Sequence, residues 1–336
     1  MLFDRDPKEH WKGGAFRLGV SEYPGKRRLG RRTLLSTGGV GIVGAGALLY
    51  QAAPGFWQQY TREFKRPIAL PPQVPNPKSW PDRGFFATWL GHSTVLLKID
   101  GFTILTDPVF SIRAGLHLGV VTLGVKRLVA PAIPQTGLPD VDLVLLSHAH
   151  MDHFDIPSLR RLEGKTTSVI TASKTSDLLR VGQYGSVQEA AWGEERRVGP
   201  ALIKAVQVNH WGARLRTDTY RGFNGYLVEV GRYRFLFAGD TADTHMLTRV
   251  AGAKSLDLVI MPIGAYNPWV RFHCTPEQAW RMGQEARADR FFPVHHSTFQ
   301  LSREPVGEPL ERLHTAAGSS ANRIVIGNIG SEFRLT

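Results

Sequence analysis

The sequence predicts an α/β protein in which two β-sheets pack face to face with helices outside, an αββα sandwich. Short apolar strands alternate with helical patterns and glycine turns from Phe85 onward. That strand-rich scheme occurs twice in succession, as two packed sheets require. Histidines and aspartates follow directly on apolar runs, at strand ends where a sheet edge collects an active site.

In the first half, Phe85–Leu90, Thr94–Ile99 and Thr103–Thr106 read as strands, with Asp100-Gly101 as a hairpin turn between the last two. Asp142–Leu146 is a continuous apolar run, the pattern of a strand covered on both faces. A helix starts at Pro157–Leu162, and Ser168–Ala172 is another strand. In the second half, Leu202–Val208, Gly225–Val230 and Tyr233–Ala238 are strands, the latter two joined by a turn at Gly231. Leu256–Met261 and Arg290–Val294 read as buried strands. Thr275-Pro276-Glu277-Gln278 is a capping box with proline at the first helical position, so a helix starts there and runs to about Ala286.

The chain has 336 residues, 42% hydrophobic and 21% charged, which places it among folded proteins. Its net charge of +12 is uneven: residues 1–32 hold nine Lys/Arg against four Asp/Glu, +5 of that total. Such an excess suits an anionic partner, although by charge alone a solvated basic surface is the simpler reading. The single cysteine, Cys274, excludes an intrachain disulfide.

The expected organisation is a basic arm over residues 1–32, an apolar segment at 33–50, a proline-rich linker at 51–84 and a catalytic domain at 85–336. Thr33 to Tyr50 carries no charge and as a helix would span about 27 Å, close to a bilayer core. Lys26, Arg27, Arg28, Arg31 and Arg32 precede it; Phe56, Trp57 and Tyr60 follow. This order suggests a retained membrane anchor with the domain outside the cytoplasmic membrane. Arg31-Arg32-Thr33-Leu34-Leu35 also resembles a twin-arginine export signal. The alternatives are a buried glycine-rich helix or a flexible arm in a cytoplasmic protein. Pro67, Pro71, Pro72, Pro75, Pro77 and Pro81 exclude helix over 61–84 and predict an extended strap.

The strongest chemical signal is His148-Ala149-His150-Met151-Asp152-His153. Alternate residues in a loop leaving a strand point one way, so His148 and His150 can chelate one ion, leaving Asp152 and His153 to face another. Imidazole with carboxylate suits zinc first, with iron and manganese as alternatives. Two four-coordinate ions need further ligands, and His210, Asp240 and His295 stand at later strand ends. Two divalent ions would lower the pKa of a bridging water and supply hydroxide at neutral pH.

These residues resemble the metallo-β-lactamase superfamily. More narrowly, the chain is similar to the N-acylphosphatidylethanolamine-hydrolysing phospholipase D family. The resemblance runs from Thr88-Trp89-Leu90-Gly91-His92-Ser93-Thr94 through Leu105-Thr106-Asp107-Pro108, His210-Trp211 with Arg214, and Phe237-Ala238-Gly239-Asp240-Thr241. It continues in Pro262-Ile263-Gly264-Ala265-Tyr266 and His273, and closes on Val294-His295-His296-Ser297-Thr298-Phe299. It implies that His148, His150 and His210 hold one ion and Asp152, His153 and His295 a second, with Asp240 bridging. His296-Ser297 replaces the family's Trp-Gly, so His296 stands beside His295 as a candidate last ligand, with His295 preferred. Asp152 and Asp240 are also expected to take part in catalysis. The resemblance places His273 near the scissile phosphate, to hydrogen-bond it or protonate the leaving group; the alternative is a residue that orients the metal shell. His92 and Asp107 read as supporting residues, and Gly91, Gly239 and Gly264 as turns near the site.

The expected activity is hydrolysis of N-acylphosphatidylethanolamine or a related phospholipid. The alternatives are a lactonase or other small-molecule hydrolase of the same fold, and a non-catalytic membrane-tethered binding protein. Expected partners are an anionic phosphodiester and a membrane. No nucleic-acid module or aromatic-interleaved basic stretch is present, so nucleic acid is not an expected partner.

Overall fold

The computed structural model describes residues 61–119, 121–250, 252 and 254–335. The arm and apolar segment expected at 1–50 lie outside them. Among the described residues no helix is long and apolar enough to cross a membrane.

The first sheet is built mainly from the first half of the domain. It comprises β1 (Phe85–Gly91), β2 (Thr94–Ile99), β3 (Phe102–Thr106), β6 (Leu143–Leu146), β7 (Ser168–Ala172), β8 (Ser186–Ala190) and, from the far end of the chain, β15 (Glu332–Leu335). Its strand order is β15-β1-β2-β3-β6-β7-β8. Asp100 and Gly101 form the expected two-residue turn, both at positive φ (47° and 86°), so β2 and β3 pair directly with Ile99 opposite Phe102. The second sheet contains β9 (Glu195–Val198), β10 (Ala201–Val206), β11 (Gly225–Val230), β12 (Tyr233–Phe237), β13 (Leu256–Pro262) and β14 (Ala288–Val294), in the order β14-β13-β12-β11-β10-β9. A small ribbon of β4 (Arg113–His117) and β5 (Thr122–Lys126) stands apart from both.

Apolar side chains from both sheets form the main core, where Phe85 packs against Tyr233 and Phe235 with ring centroids 5.7 and 6.1 Å apart. A second core lies between the second sheet and two helices, α2 (Pro276–Glu285) and α3 (Glu308–Ala317), through Trp280, Met282, Phe291 and Leu313. The predicted capping box starts α2: Thr275 Oγ1 accepts from Gln278 N–H, and the Gln278 side chain accepts from Thr275 N–H. A short helix α1 (Ile156–Arg161) follows the histidine cluster, capped by Asp155.

The strap departs from the expectation of no helix. Residues 61–65 are helical, because the prolines begin only at Pro67 and nothing earlier breaks the turn. Pro77–Ser79 adds a 3₁₀ turn with proline at its start. The strap is also laid onto the domain: Glu63 is buried against Arg113, Ala69 bridges to Val129, and Trp80 stacks on Phe86.

Parallel pairing fixes where the chemistry collects. β3 and β6 run parallel, as do β12, β13 and β14. Their carboxyl ends therefore share an edge within each sheet, and the residues just beyond them converge.

Candidate metal centre

Each strand exit delivers one or more polar side chains. β3 is followed by Asp107, β6 by Ser147 and the histidine cluster, β12 by Asp240 and β14 by His295. Asp107 and His295 take left-handed backbone angles (φ 30° and 64°), as does His92 after β1 (φ 54°). Such angles cost non-glycine residues about 1 kcal/mol or more and persist only where the surroundings enforce them. Gly264 is needed for close approach: a Cβ there would sit 2.2 Å from the carbonyl oxygen of His295. Gly239 serves both purposes, with φ +61° and a would-be Cβ 2.7 Å from Ser147.

Two sets of side-chain atoms meet at this edge. In one, Asp240 Oδ2 lies 3.1 Å from both His153 Nε2 and His295 Nε2, while Asp152 Oδ2 lies 3.5 and 3.4 Å from the same nitrogens. In the other, His150 Nδ1 lies 2.8 Å from His148 Nε2 and 3.3 Å from His210 Nε2. Asp240 Oδ2 is 3.9 and 3.8 Å from those two nitrogens. Four ligands at 2.0–2.1 Å around a tetrahedral ion are separated by about 3.3–3.4 Å. The first set clusters around that edge and the second straddles it, so the donor sets fit divalent ions.

The unmet polar atoms agree. His153 Nε2, His295 Nε2 and both Asp240 oxygens are buried without a hydrogen-bond partner, a costly state for polar atoms in a protein interior. In three of the ligand histidines the opposite ring nitrogen is accounted for. His210 Nδ1–H donates to the Phe272 carbonyl (2.8 Å), and His153 Nδ1–H to Asp107 Oδ2 (2.6 Å). His148 Nδ1 lies 2.8 Å from Ser147 Oγ, which itself donates to Asp107 Oδ2 at 2.5 Å. Those bonds leave Nε2 of all three imidazoles facing inward as lone pairs, the arrangement metal-binding histidines require.

Electrostatics point the same way. Burial opposes charge on Asp152 and Asp240, yet the neighbouring imidazoles, His153 above all, hold both carboxyls well below their usual range. Burial also pushes His295 down, but Asp240 and Asp152 more than reverse it and raise the ring to about 9. His153 is raised in the same way. Two buried carboxylates thus draw positive charge onto the imidazoles beside them, and a divalent cation would supply it instead. His148 and His210 go the other way, because burial dominates.

All seven sequence-predicted ligands meet here. Of the two adjacent histidines, His295 faces the cluster, whereas the His296 ring packs on Trp89 with centroids 4.5 Å apart and joins none of the ligand-competent groups. His273 faces the same centre, its Nδ1 3.8 Å from Asp240 Oδ2 and its side chain 14% exposed. His92 is closer to the centre than a supporting role suggests. Its Nε2 lies 3.0 Å from Asp152 Oδ2, and with Asp152, His153 and His295 it forms a group compact enough to hold an ion. The carbonyl of Phe272 went unread in the sequence, since a backbone acceptor carries no residue signal.

Residues 103–296 match the β-lactamase superfamily domain. The chain belongs to that superfamily. An uncharacterised protein of Mycobacterium tuberculosis is 32% identical over 271 residues, covering 78% of this chain and 72% of that one. The N-acyl-phosphatidylethanolamine-hydrolyzing phospholipase D 1 of Caenorhabditis elegans is 32% identical over 250 residues, covering 69% of each. Among solved structures, a metallo hydrolase from Ignicoccus hospitalis superposes with a TM-score of 0.56 at 18% identity, over 75% of this chain and 98% of that one. The fold is the metallo-β-lactamase fold expected from the sequence, and the chain is a metal-dependent hydrolase. That membership replaces the non-catalytic tethered protein considered above.

Proposed function

We propose that this superfamily member is a phosphodiesterase of the phospholipase D type. It would hydrolyse N-acylphosphatidylethanolamine or a related phospholipid at a pair of divalent ions, zinc first among them. The observation that carries the reading is Asp240: one carboxylate oxygen serves both donor sets, with His273 turned toward it from the rim. His148, His150 and His210 would hold one ion and Asp152, His153 and His295 the other, with Asp240 between. Ions bound there would supply a nucleophile at neutral pH and stabilise charge on the phosphoryl oxygens.

The remaining work falls to the chain's own residues. Asp152 and Asp240 hold the ligand shell together. Partly exposed, His273 can donate a hydrogen bond to a phosphoryl oxygen or pass a proton to the leaving alkoxide. An apolar rim suits an amphiphile: Trp211 is 43% exposed and packs on His150 at 4.6 Å, and Phe272, 39% exposed, stands beside it at 5.9 Å. The name of the Caenorhabditis elegans relative supplies the substrate class.

The test offers N-acylphosphatidylethanolamine and phosphatidylethanolamine in mixed micelles to the metal-loaded protein, with Asp240→Asn as control. Water added across the phosphodiester should release phosphatidic acid and the free N-acylethanolamine or ethanolamine, and the control should release neither. A metal-loaded protein that turns over neither lipid would move the assignment to a lactone or a small phosphodiester.

A further inference from the structure

The β4–β5 ribbon joins neither large sheet, and its strands pair only with each other, from Arg113 opposite Lys126 to His117 opposite Thr122. From Gly115 through Val125 the sequence holds no Asp, Glu, Lys or Arg. The ribbon nevertheless stands in solvent: Leu116 is 42% exposed, Leu118 53% and Val121 44%, with Ile112 at its foot 61% exposed. A narrow two-stranded ribbon is marginally stable in water, and an apolar tip with two open edges is an aggregation hazard. Exposed apolar patches of this kind mark contact surfaces.

The base of the ribbon has the opposite character. Arg113 Nη1 and the Lys126 backbone N–H both reach Glu63 Oε2 (2.9 and 2.8 Å), and Arg66 donates to the Lys126 carbonyl (2.8 Å). Arg62 and Lys65 are exposed on the same short helix. Arg113, Lys126 and Arg66 thus gather at the base of the ribbon, with Arg62 and Lys65 exposed on the helix that carries Glu63, below a tip without Asp, Glu, Lys or Arg. The described residues begin at Thr61, on the helix at this base.

We propose that the tip of the β4–β5 ribbon is a wedge that enters the interfacial layer of an anionic bilayer, with the basic collar at headgroup level. Two features favour lipid over a second copy of the chain: the uncharged tip and the cationic collar beneath it. Depth is limited, because the outer N–H and C=O groups of an unpaired ribbon edge cannot be left unmet in hydrocarbon. The tip therefore stops about 5–10 Å into the headgroup–acyl boundary. The ribbon's inner face packs through Ala114 and Val125 against Val109 and Phe299, whose ring meets His92 at 5.1 Å, so the wedge is rooted beside the metal centre. The wedge shares with the lipid reading above the premise that the chain works at a bilayer, but contact can be read without turnover.

The test places a single environment-sensitive fluorophore on the full-length chain through Leu118→Cys, and in a second variant through Val121→Cys. Cys274 does not compete for label: it is 1% exposed, and burial raises its thiol pKa. Vesicles of phosphatidylcholine and phosphatidylglycerol with brominated acyl chains are added, and Lys204→Cys on β10 serves as the aqueous control. Both tip probes should shift to the blue and lose roughly half their emission, while the control does neither. The wedge is refuted if the protein floats with vesicles while tip probes keep their aqueous spectrum, or if it does not float at all. A blue-shifted tip before lipid is added, in a protein that sediments as a dimer, assigns the surface to a second copy instead. Tip contact retained in a protein that fails to cleave lipid would refute the phospholipase reading alone.

Discussion

Asp107 is the most informative residue to perturb, because one carboxylate orients an imidazole in each donor set. It is fully buried, with Oδ1 accepting from Ser147 N–H (2.7 Å) and Oδ2 from His153 Nδ1–H and Ser147 Oγ–H. Ser147 Oγ in turn faces His148 Nδ1. In Asp107→Asn the amide Oδ1 can still accept from the Ser147 backbone, but an NH₂ group replaces Oδ2. His153 must then flip tautomer, which protonates Nε2 and removes its lone pair from the centre, or leave two buried donors opposed, which turns the ring away from its place in the donor set. Loss of such a supporting bond lowers metal affinity about 10–100-fold, equivalent to ~1.4–2.7 kcal/mol. Ser147→Ala disturbs only the branch to His148. Chelator competition with metal counting should therefore show both ions weakened in Asp107→Asn and one in Ser147→Ala, with the fold intact by circular dichroism. Wild-type affinity for both ions in Asp107→Asn would refute the relay.

Four further outcomes follow from the same geometry. His273→Ala should keep its metal and its melting temperature but lose roughly 10²–10⁴-fold in kcat; an unchanged rate would remove His273 from catalysis. In the metal-free protein His295 is held at about 9 and His153 is also raised, so loading with zinc at pH 7 should release protons, and affinity should rise from pH 6 to 9. The same shifts stabilise the metal-free fold fully below about pH 6.5 and lose that contribution as pH rises through 9, which thermal melts across the range would show. Gly264→Ala drives a methyl into the His295 carbonyl and should cost about 2 kcal/mol or more of stability along with metal affinity; denaturant melts matching wild type would contradict the close approach.

Local chemistry made much of the protein legible in its sequence. Asp100-Gly101 and the Thr275–Gln278 capping box are set by neighbouring residues, and both stand where expected. The cluster from His148 to His153 is legible for the same reason, since one strand exit holds it. Other elements were not. β8 and β9 are half-exposed strands with mixed polar and apolar residues, and β15 pairs with β1 across most of the chain, so none carries a clear periodic signal. The β4–β5 ribbon was missed because a close pairing of Gly115 with Gly124 reads in sequence as a loop.

The sequence by itself determined which side chains can bind metal and that they fall at strand ends. Only the tertiary structure decided how they divide. Adjacent residues such as His295 and His296 are chemically identical, and the left-handed turn at His295 sends one ring to Asp240 and leaves the other against Trp89. His92 and Asp107 likewise acquire their partners from strands that meet through long-range pairing, with His92 at Asp152 and Asp107 at His153. Residue type sets the chemistry available, whereas the direction and neighbours of each nitrogen depend on backbone angles that packing imposes.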